Sequence, residues 1–384
     1  MGYVAGMGAD ADVVVVGAGP TGSALAIMLG RGGLQTIVLD RAQFPRDKAC
    51  GEGLMPAGVR VLEQLDVPLG AFPPLAGIGY QVPGAGNVQG AFAGGGTGRG
   101  TRRLALDQLL AETAAAAPNV DLRLGCEAIA VEVTAEHAVV RTAAGEVRAR
   151  FLVGADGYRS RVARLMGWAR PARAERYALV GHVEAHRHRF DRVLVTLLRS
   201  CEVYLAPTGP DEVLVALLGP KQGLKPEGQP VRAAYERRVA QAHPELSGCS
   251  HSLTGGAGPF WTRPSRIAED RVFLVGDAAG FLDPLTGDGM SAGLLGARRL
   301  AGILAGGDAG SARLYRHWEA AQWRRRVFMT RLALTLTGSP ALARRAVSGL
   351  ARRPATLDRL LAVNDGSRSP LSLSLGDWAA LAGI

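Results

Sequence analysis

Apolar and polar positions fall in blocks along the chain, and each block predicts an element. After Asp12 comes a wholly apolar, β-branched run to Val16, the pattern of a strand buried on both faces of a parallel sheet. A glycine turn at 17–22 follows, then a helix over 23–29, then a second buried strand over 36–39 that ends on Asp40. Strand, helix and strand in so short a span make one βαβ unit. The pattern next predicts a loop through 45–56, helices over 58–65 and 106–117, and strands over 120–124, 129–133 and 138–142. A further buried strand, 151–153, runs into Gly154-Ala155-Asp156-Gly157. The glycine-rich stretch 84–100 reads as a flexible loop over a pocket or a disordered connection.

The texture changes between about 177 and 253. Short strands over 192–198, 202–205 and 212–218 are separated by Pro and Gly, which predicts an antiparallel sheet in an inserted domain. A buried strand at 272–275 then leads into Gly276-Asp277, and a helix starts at about Gly289. The remainder is mostly helical.

The glycine turn carries the first chemistry. Gly17-x-Gly19-x-x-Gly22 lies directly between strand and helix, with Pro20 and Thr21 inside it. Gly17 makes the tight turn, Gly19 admits a diphosphate to the backbone, and Gly22 lets helix and strand pack closely. The helix N-terminus offers free N–H groups and a positive dipole to phosphate. Asp40, 18 residues after Gly22, ends the second strand, where a carboxylate accepts ribose hydroxyls and repels a 2′-phosphate. Together these features predict dinucleotide binding.

Later motifs choose between dinucleotides. Gly154-Ala155-Asp156-Gly157-Tyr158-Arg159-Ser160 resembles the Asp-Gly motif of the para-hydroxybenzoate hydroxylase superfamily of flavoproteins. The stretch from Arg271 to Ala279, with Gly276-Asp277, resembles its Gly-Asp motif, and Arg103 to Asp107 looks like the start of its second flavin-contacting helix. The resemblance implies an α/β fold: a Rossmann-type FAD-binding domain, an inserted antiparallel-sheet substrate domain and a helical C-terminal region. The FAD-binding domain is expected over 1–80, 106–175 and 259–310. A substrate-domain segment or mobile loop is expected at 81–105, the substrate sheet at 176–258, and a basic helical region at 311–384. Asp277 would accept ribityl hydroxyls. Gly287-Asp288-Gly289-Met290 would bring a helix N-terminus to the flavin ring. Arg103 would reach the diphosphate or ribityl zone. Arg41, Arg46 and Asp156 complete the expected FAD contacts.

The loop from Phe44 to Leu54, Phe-Pro-Arg-Asp-Lys-Ala-Cys-Gly-Glu-Gly-Leu, is similar to a segment of geranylgeranyl reductases and of related epoxidases, hydroxylases and flavin halogenases. That similarity places Cys50, Gly51 and Glu52 near the isoalloxazine. Cys50 and Glu52 are the candidate catalytic residues; the alternative is a loop that only packs. Tryptophan halogenases carry a Trp-x-Trp element, which is missing here. Geranylgeranyl reductases carry Tyr-x-Trp-x-Phe-Pro, and Tyr204-Leu205-Ala206-Pro207 stands in its place without the Trp or the Phe. The expected activity is therefore an FAD-dependent monooxygenase that uses O₂, with NAD(P)H as a transient reductant, on a hydrophobic polyketide or terpenoid. Isoprenoid reduction and halogenation are the alternatives.

Composition sets the bounds. A chain of 384 residues fits about two domains, and 47% hydrophobic with 20% charged residues fits a globular protein. No apolar run reaches the ~18 residues of a membrane span. The first ten residues lack a basic segment before an apolar one, so no secretory signal is expected. Cys50, Cys126, Cys201 and Cys249 are scattered without a CxxC pair, which argues against disulfides and zinc and for a cytoplasmic location. His182, His186 and His188 close no ligand set with Cys249 and His251, so no metal is expected. Lysine occurs three times and arginine 41 times. Residues 290–384 carry 14 Arg against 5 Asp and Glu, so +9 of the chain's +10 lies there. Such a tail is either a solvated helix face or a surface for an anionic membrane, an acidic carrier protein presenting substrate, or an acidic substrate. Nucleic acid is not an expected partner, with aromatics at 5% and no recognisable module.

Overall fold

The computed structural model describes residues 8–185, 190–307 and 310–384. His186 and His188 lie outside them.

The strand Ala11–Val16 is buried along its whole length and pairs in parallel with Thr36–Asp40 on one side and Gly145–Gly154 on the other. Val120–Leu124 and Val272–Leu274 extend this sheet in parallel at its two sides. The hairpin strands Ala130–Val133 and Ala138–Thr142 join it through antiparallel pairing with the first half of Gly145–Gly154. The helix Pro20–Arg31 starts with proline in its first turn, where no N–H is missed, and ends at Gly32. Its Gly22 packs so closely that a methyl there would stand 1.8 Å from the Gly17 carbonyl oxygen.

A second sheet of seven strands runs in the order His251–Ala257, Arg176–Glu184, Glu212–Pro220, Glu202–Pro207, Val193–Leu197, Gly77–Val82, Gly86–Ala91. It is antiparallel except where Val193–Leu197 meets Gly77–Val82. Strand alternation divides its residues between two cores. Val203 and Leu205 pack on Tyr235 and Val239 of the helix Val231–Ala242. Tyr204 and Ala206 belong to the opposite core, shared with the C-terminal helices.

Residues 84–100 are not a loose loop. Gly86–Ala91 is an edge strand, and Gly98–Gly100 pairs with both Gly53–Leu54 and Pro74–Leu75. The glycines serve close approach rather than mobility. A methyl on Gly100 would lie 1.6 Å from the Pro207 carbonyl oxygen, and one on Gly90 would lie 2.6 Å from Leu357 Cγ.

The tail forms the helices Ser311–Thr337, Pro340–Arg352, Ala355–Asn364 and Leu375–Ala382. Their inner faces, with Val347, Leu350, Leu357, Leu361 and Leu381, close over the antiparallel sheet. No helix among the described residues is long and apolar enough to cross a membrane.

Candidate functional site

A pocket of about 160 Å³ opens between the two sheets. One wall is the glycine turn. Gly17 takes φ +107°, and no side chain caps the helix that begins at Pro20. Gly19, Pro20 and Thr21 line the pocket. Beside Gly19 there is open space: a methyl there would meet only Arg46 Nη2, at 3.7 Å. Gly22 and Gly276 stand behind this surface, where Gly276, at φ +64°, packs against Thr21.

Asp40 is buried at its strand end. Its carboxylate accepts the Ala18 N–H at 2.7 Å and the Ala42 N–H at 2.8 Å. Arg46 lies 3.9 Å from Asp40, pairs with buried Asp107 at 3.0 Å and stacks over Phe44. Arg41, the residue after Asp40, is exposed.

The second wall is the loop that carries Lys48, Cys50, Gly51 and Glu52. Burial lowers the Lys48 pKa, and the neighbouring charge of Arg103 lowers it further while Asp277 opposes both. Glu52 takes φ 55° and is buried. Its oxygens are already engaged: one accepts the Arg103 N–H at 2.9 Å, the other faces His182 Nε2 at 2.9 Å. The opposite ring nitrogen of His182 meets Thr254 Oγ1 at 2.9 Å. Glu52 thus braces the loop against the antiparallel sheet. Arg103 is held by Asp107 through two bonds of 2.6 and 2.7 Å. Burial would lower its pKa, but Asp107 raises it more, so the guanidinium stays charged. Its remaining reach is toward the Cys50 thiol.

Asp277 and Gly287 to Met290 form the third wall. Asp277 follows the buried strand Val272–Leu274. Loss of solvent around it raises its pKa, against the pull of Lys48 and Arg326, and its half-buried carboxylate faces the pocket without a hydrogen-bond donor among the described residues. Gly287 is left-handed at φ 66°, and no side chain caps the helix Gly289–Ala305. The Asp288 carboxylate is engaged by Arg326 at 3.1 Å and by the Thr286 hydroxyl at 2.8 Å. Asp156 behaves otherwise than expected. Its carboxylate accepts the Arg161 and Val162 N–H groups and so caps the helix Arg161–Leu165 rather than lining the pocket.

Ala178, Val180, Ala216 and Leu218 of the antiparallel sheet close the pocket as an apolar wall. Tyr204 projects from the same sheet toward Gly51 and Gly53, and burial raises its pKa so that it stays protonated. Lys48, Tyr204 and Arg326 line the pocket without having been among the expected cofactor or catalytic residues. Strand alternation could have oriented Tyr204. Nothing local marks Arg326 among the many arginines of its helix. Among the described residues no group of three or more His, Cys, Asp and Glu could hold a metal ion.

The arrangement fits a dinucleotide with a flavin. It has open space at Gly19, two uncapped helix N-termini, the buried carboxylate of Asp40 and the half-buried carboxylate of Asp277, both suited to sugar hydroxyls. Comparison with known proteins agrees. The FAD binding domain family model matches residues 10–72 and 100–333. The chain is 31% identical to a menaquinone reductase of Mycobacterium tuberculosis, over 85% of this chain and 84% of that one. It is 29% identical to a rifampicin monooxygenase of Streptomyces venezuelae, over 77% of this chain and 64% of that one. In fold it is similar to a flavoprotein/dehydrogenase from Cytophaga hutchinsonii, with a TM-score of 0.81, 18% identity and 93% of each chain covered.

Proposed function

The chain belongs to the FAD binding domain family and is an FAD-dependent oxidoreductase, and from that premise we propose that it is a monooxygenase acting on an apolar secondary metabolite such as a polyketide or terpenoid. In this reading Asp40 holds the adenosine ribose, Gly19 and the Pro20–Arg31 N-terminus hold the diphosphate with Arg46 alongside, and Asp277 holds the ribityl chain. FAD, when bound, supplies two-electron transfer and reaction with O₂. The protein supplies position, charge and dryness. The Gly289–Ala305 N-terminus, Lys48, Arg103 and Arg326 offset negative charge on a reduced ring.

The observation that carries the reading is the apolar face of Ala178, Val180, Ala216 and Leu218 opposite these cofactor residues. It excludes water from the reacting region and selects an apolar substrate. A second cavity of about 90 Å³, lined by Leu332, Leu336, Val347, Leu357 and Leu361, suits an aliphatic extension of that substrate. Oxygen transfer is preferred to reduction because Ala206 on the Tyr204 strand and Thr208 just beyond its end stand where geranylgeranyl reductases carry Trp and Phe. NAD(P)H is the proposed reductant. The groove beside Tyr158, lined by Arg159, Arg164 and Arg170, offers cations to its phosphates.

The likeness to a menaquinone reductase favours a second reading, reduction of the substrate rather than oxygen transfer, and the resemblance of the Phe44–Leu54 loop to geranylgeranyl reductases would make an isoprenoid double bond its target. A panel of alkyl phenols, polyketide aromatics and polyprenyl quinones separates the two. Supplied with NAD(P)H, a monooxygenase converts its substrate only in air. Conversion that continues without O₂ assigns the enzyme to the second reading.

A further inference from the structure

The tail helices bury one face against the antiparallel sheet, and what they leave outside is unusual. Leu371 is 94% exposed and Leu375 is 89% exposed, and Trp378, one turn on, is 39% exposed. All three fall within eight residues, at the short 3₁₀ turn Pro370–Ser372 and the first turn of Leu375–Ala382. Leu342, on the neighbouring helix Pro340–Arg352, is exposed as well. Isolated exposed leucines need no explanation, but a cluster of the largest apolar side chains does.

Arginines border this cluster. Arg352 donates to the Gly383 carbonyl at the end of the last helix, at 2.7 Å. Arg353 lies against Gly376 in its first turn, and Arg345 lies against Gly383. Arg344, Arg345, Arg352, Arg353 and Arg368 are all exposed, and none forms an ion pair among the described residues. The acidic groups nearby are already engaged. Asp377 is bound by Arg359, Thr356 and Ser374, Asp358 accepts the Ala91 N–H, and Asp365 accepts the Ser367 N–H. The patch therefore presents apolar side chains with an uncompensated positive rim.

We propose that this face docks on the surface of an anionic lipid bilayer, with Leu371, Leu375 and Trp378 entering the headgroup–acyl boundary and the bordering arginines held by lipid phosphates. Exposed leucine and tryptophan beside unpaired arginine is the composition of an interfacial anchor. The underside of the same helices supplies the second point: Val347, Leu350, Leu357, Leu361 and Leu381 line the apolar cavity of about 90 Å³. Docking on this face sets that cavity directly beneath the bilayer, where a water-insoluble compound is stored. The docking itself is independent of which reaction the flavin performs.

The test uses the full, FAD-loaded chain and co-sedimentation with vesicles of phosphatidylcholine, with and without phosphatidylglycerol. Binding is expected with phosphatidylglycerol at 0.1 M salt. It should weaken at least tenfold on pure phosphatidylcholine or at 1 M salt, where the Debye length falls to about 3 Å. The double variant Leu371→Ser/Leu375→Ser removes only exposed groups, so it keeps its flavin spectrum and melting temperature, and it should bind at least tenfold more weakly. Arg344→Gln/Arg345→Gln should lose roughly fivefold per arginine and flatten the salt dependence. Absence of binding to the anionic vesicles overturns the proposal. So does an unchanged affinity of the leucine variant. If the parent self-associates through Leu371, or binds an acidic carrier protein in place of vesicles, the patch is a protein interface and the proposal fails.

Discussion

Asp277 and Asp40 are both carboxylates at strand ends, yet replacing each with alanine should do different things. Asp40 is satisfied by the protein itself, through the Ala18 and Ala42 N–H groups at 2.7 and 2.8 Å. Asp277 is half-buried on the pocket wall, with no donor to its carboxylate among the described residues. Hydrogen bonds to a charged group contribute about 1.5–3 kcal/mol. Asp277→Ala should therefore raise the FAD dissociation constant roughly 10- to 150-fold. The cofactor-free protein should respond in the opposite sense. Burial raises the Asp277 pKa above its ordinary 3.8. The stability of a group with a raised folded-state pKa is full below that ordinary value and is lost as pH rises through the folded value. At pH 7, above that ordinary value, Asp277 therefore adds no stability of its own, and its removal should leave the melting temperature of the cofactor-free protein unchanged or higher. Asp40→Ala instead orphans two backbone donors, and should lower that stability by about 2 kcal/mol or more as well as weakening FAD. The assay is an FAD titration of the cofactor-free proteins by flavin fluorescence, paired with their thermal melts. An Asp277→Ala protein that binds FAD as tightly as the parent, or that melts as early as Asp40→Ala, would refute the reasoning.

Three other outcomes follow from the same structure. Gly22→Ala drives a methyl to 1.8 Å from the Gly17 carbonyl oxygen, so strand and helix must part at a cost of about 1–3 kcal/mol; a flavin-loaded variant with the parental melting temperature would contradict this. Tyr204→Phe should keep FAD affinity and lower turnover by roughly tenfold, the worth of one hydrogen bond to substrate; because burial holds the hydroxyl protonated, the pH profile below 10 should keep its shape. Burial lowers the His243 pKa below its ordinary 6.5 and Glu245 opposes the shift only in part, so its contribution is full above 6.5 and is lost as pH falls toward the folded value. Urea midpoints of the parent should drop below pH 6.5, and those of His243→Gln should drop less.

The parts of the fold legible in the sequence were those written locally. The strands Ala11–Val16 and Thr36–Asp40 are buried on both faces and so read as unbroken apolar runs, and the glycines between them carry fixed roles. The stretch 84–100 misled because glycine has two meanings, freedom and close approach, and only the neighbours Pro207 and Leu357 decide between them. Asp156 sits in a flavoprotein motif, yet its carboxylate caps the next helix, which the motif alone does not state. Glu52 looked like a free acid beside the flavin. Its partner His182 is 130 residues away, on a strand that reaches it only through the folded sheet. The tail was legible as basic and helical. That its inner face closes an apolar cavity, and that Arg326 enters the flavin pocket, depends on packing between distant segments.

Whether the apolar face opposite the cofactor residues serves oxygen transfer to an apolar substrate is decided by the origin of the product's new atom. The FAD-loaded enzyme is given NAD(P)H, the substrate identified from the panel and ¹⁸O₂ in unlabelled water, and the product is weighed by mass spectrometry. One ¹⁸O atom per product molecule is expected, and hydrogen peroxide in place of product when substrate is withheld. A product heavier by two hydrogens and free of ¹⁸O, formed at the same rate without O₂, would contradict oxygen transfer.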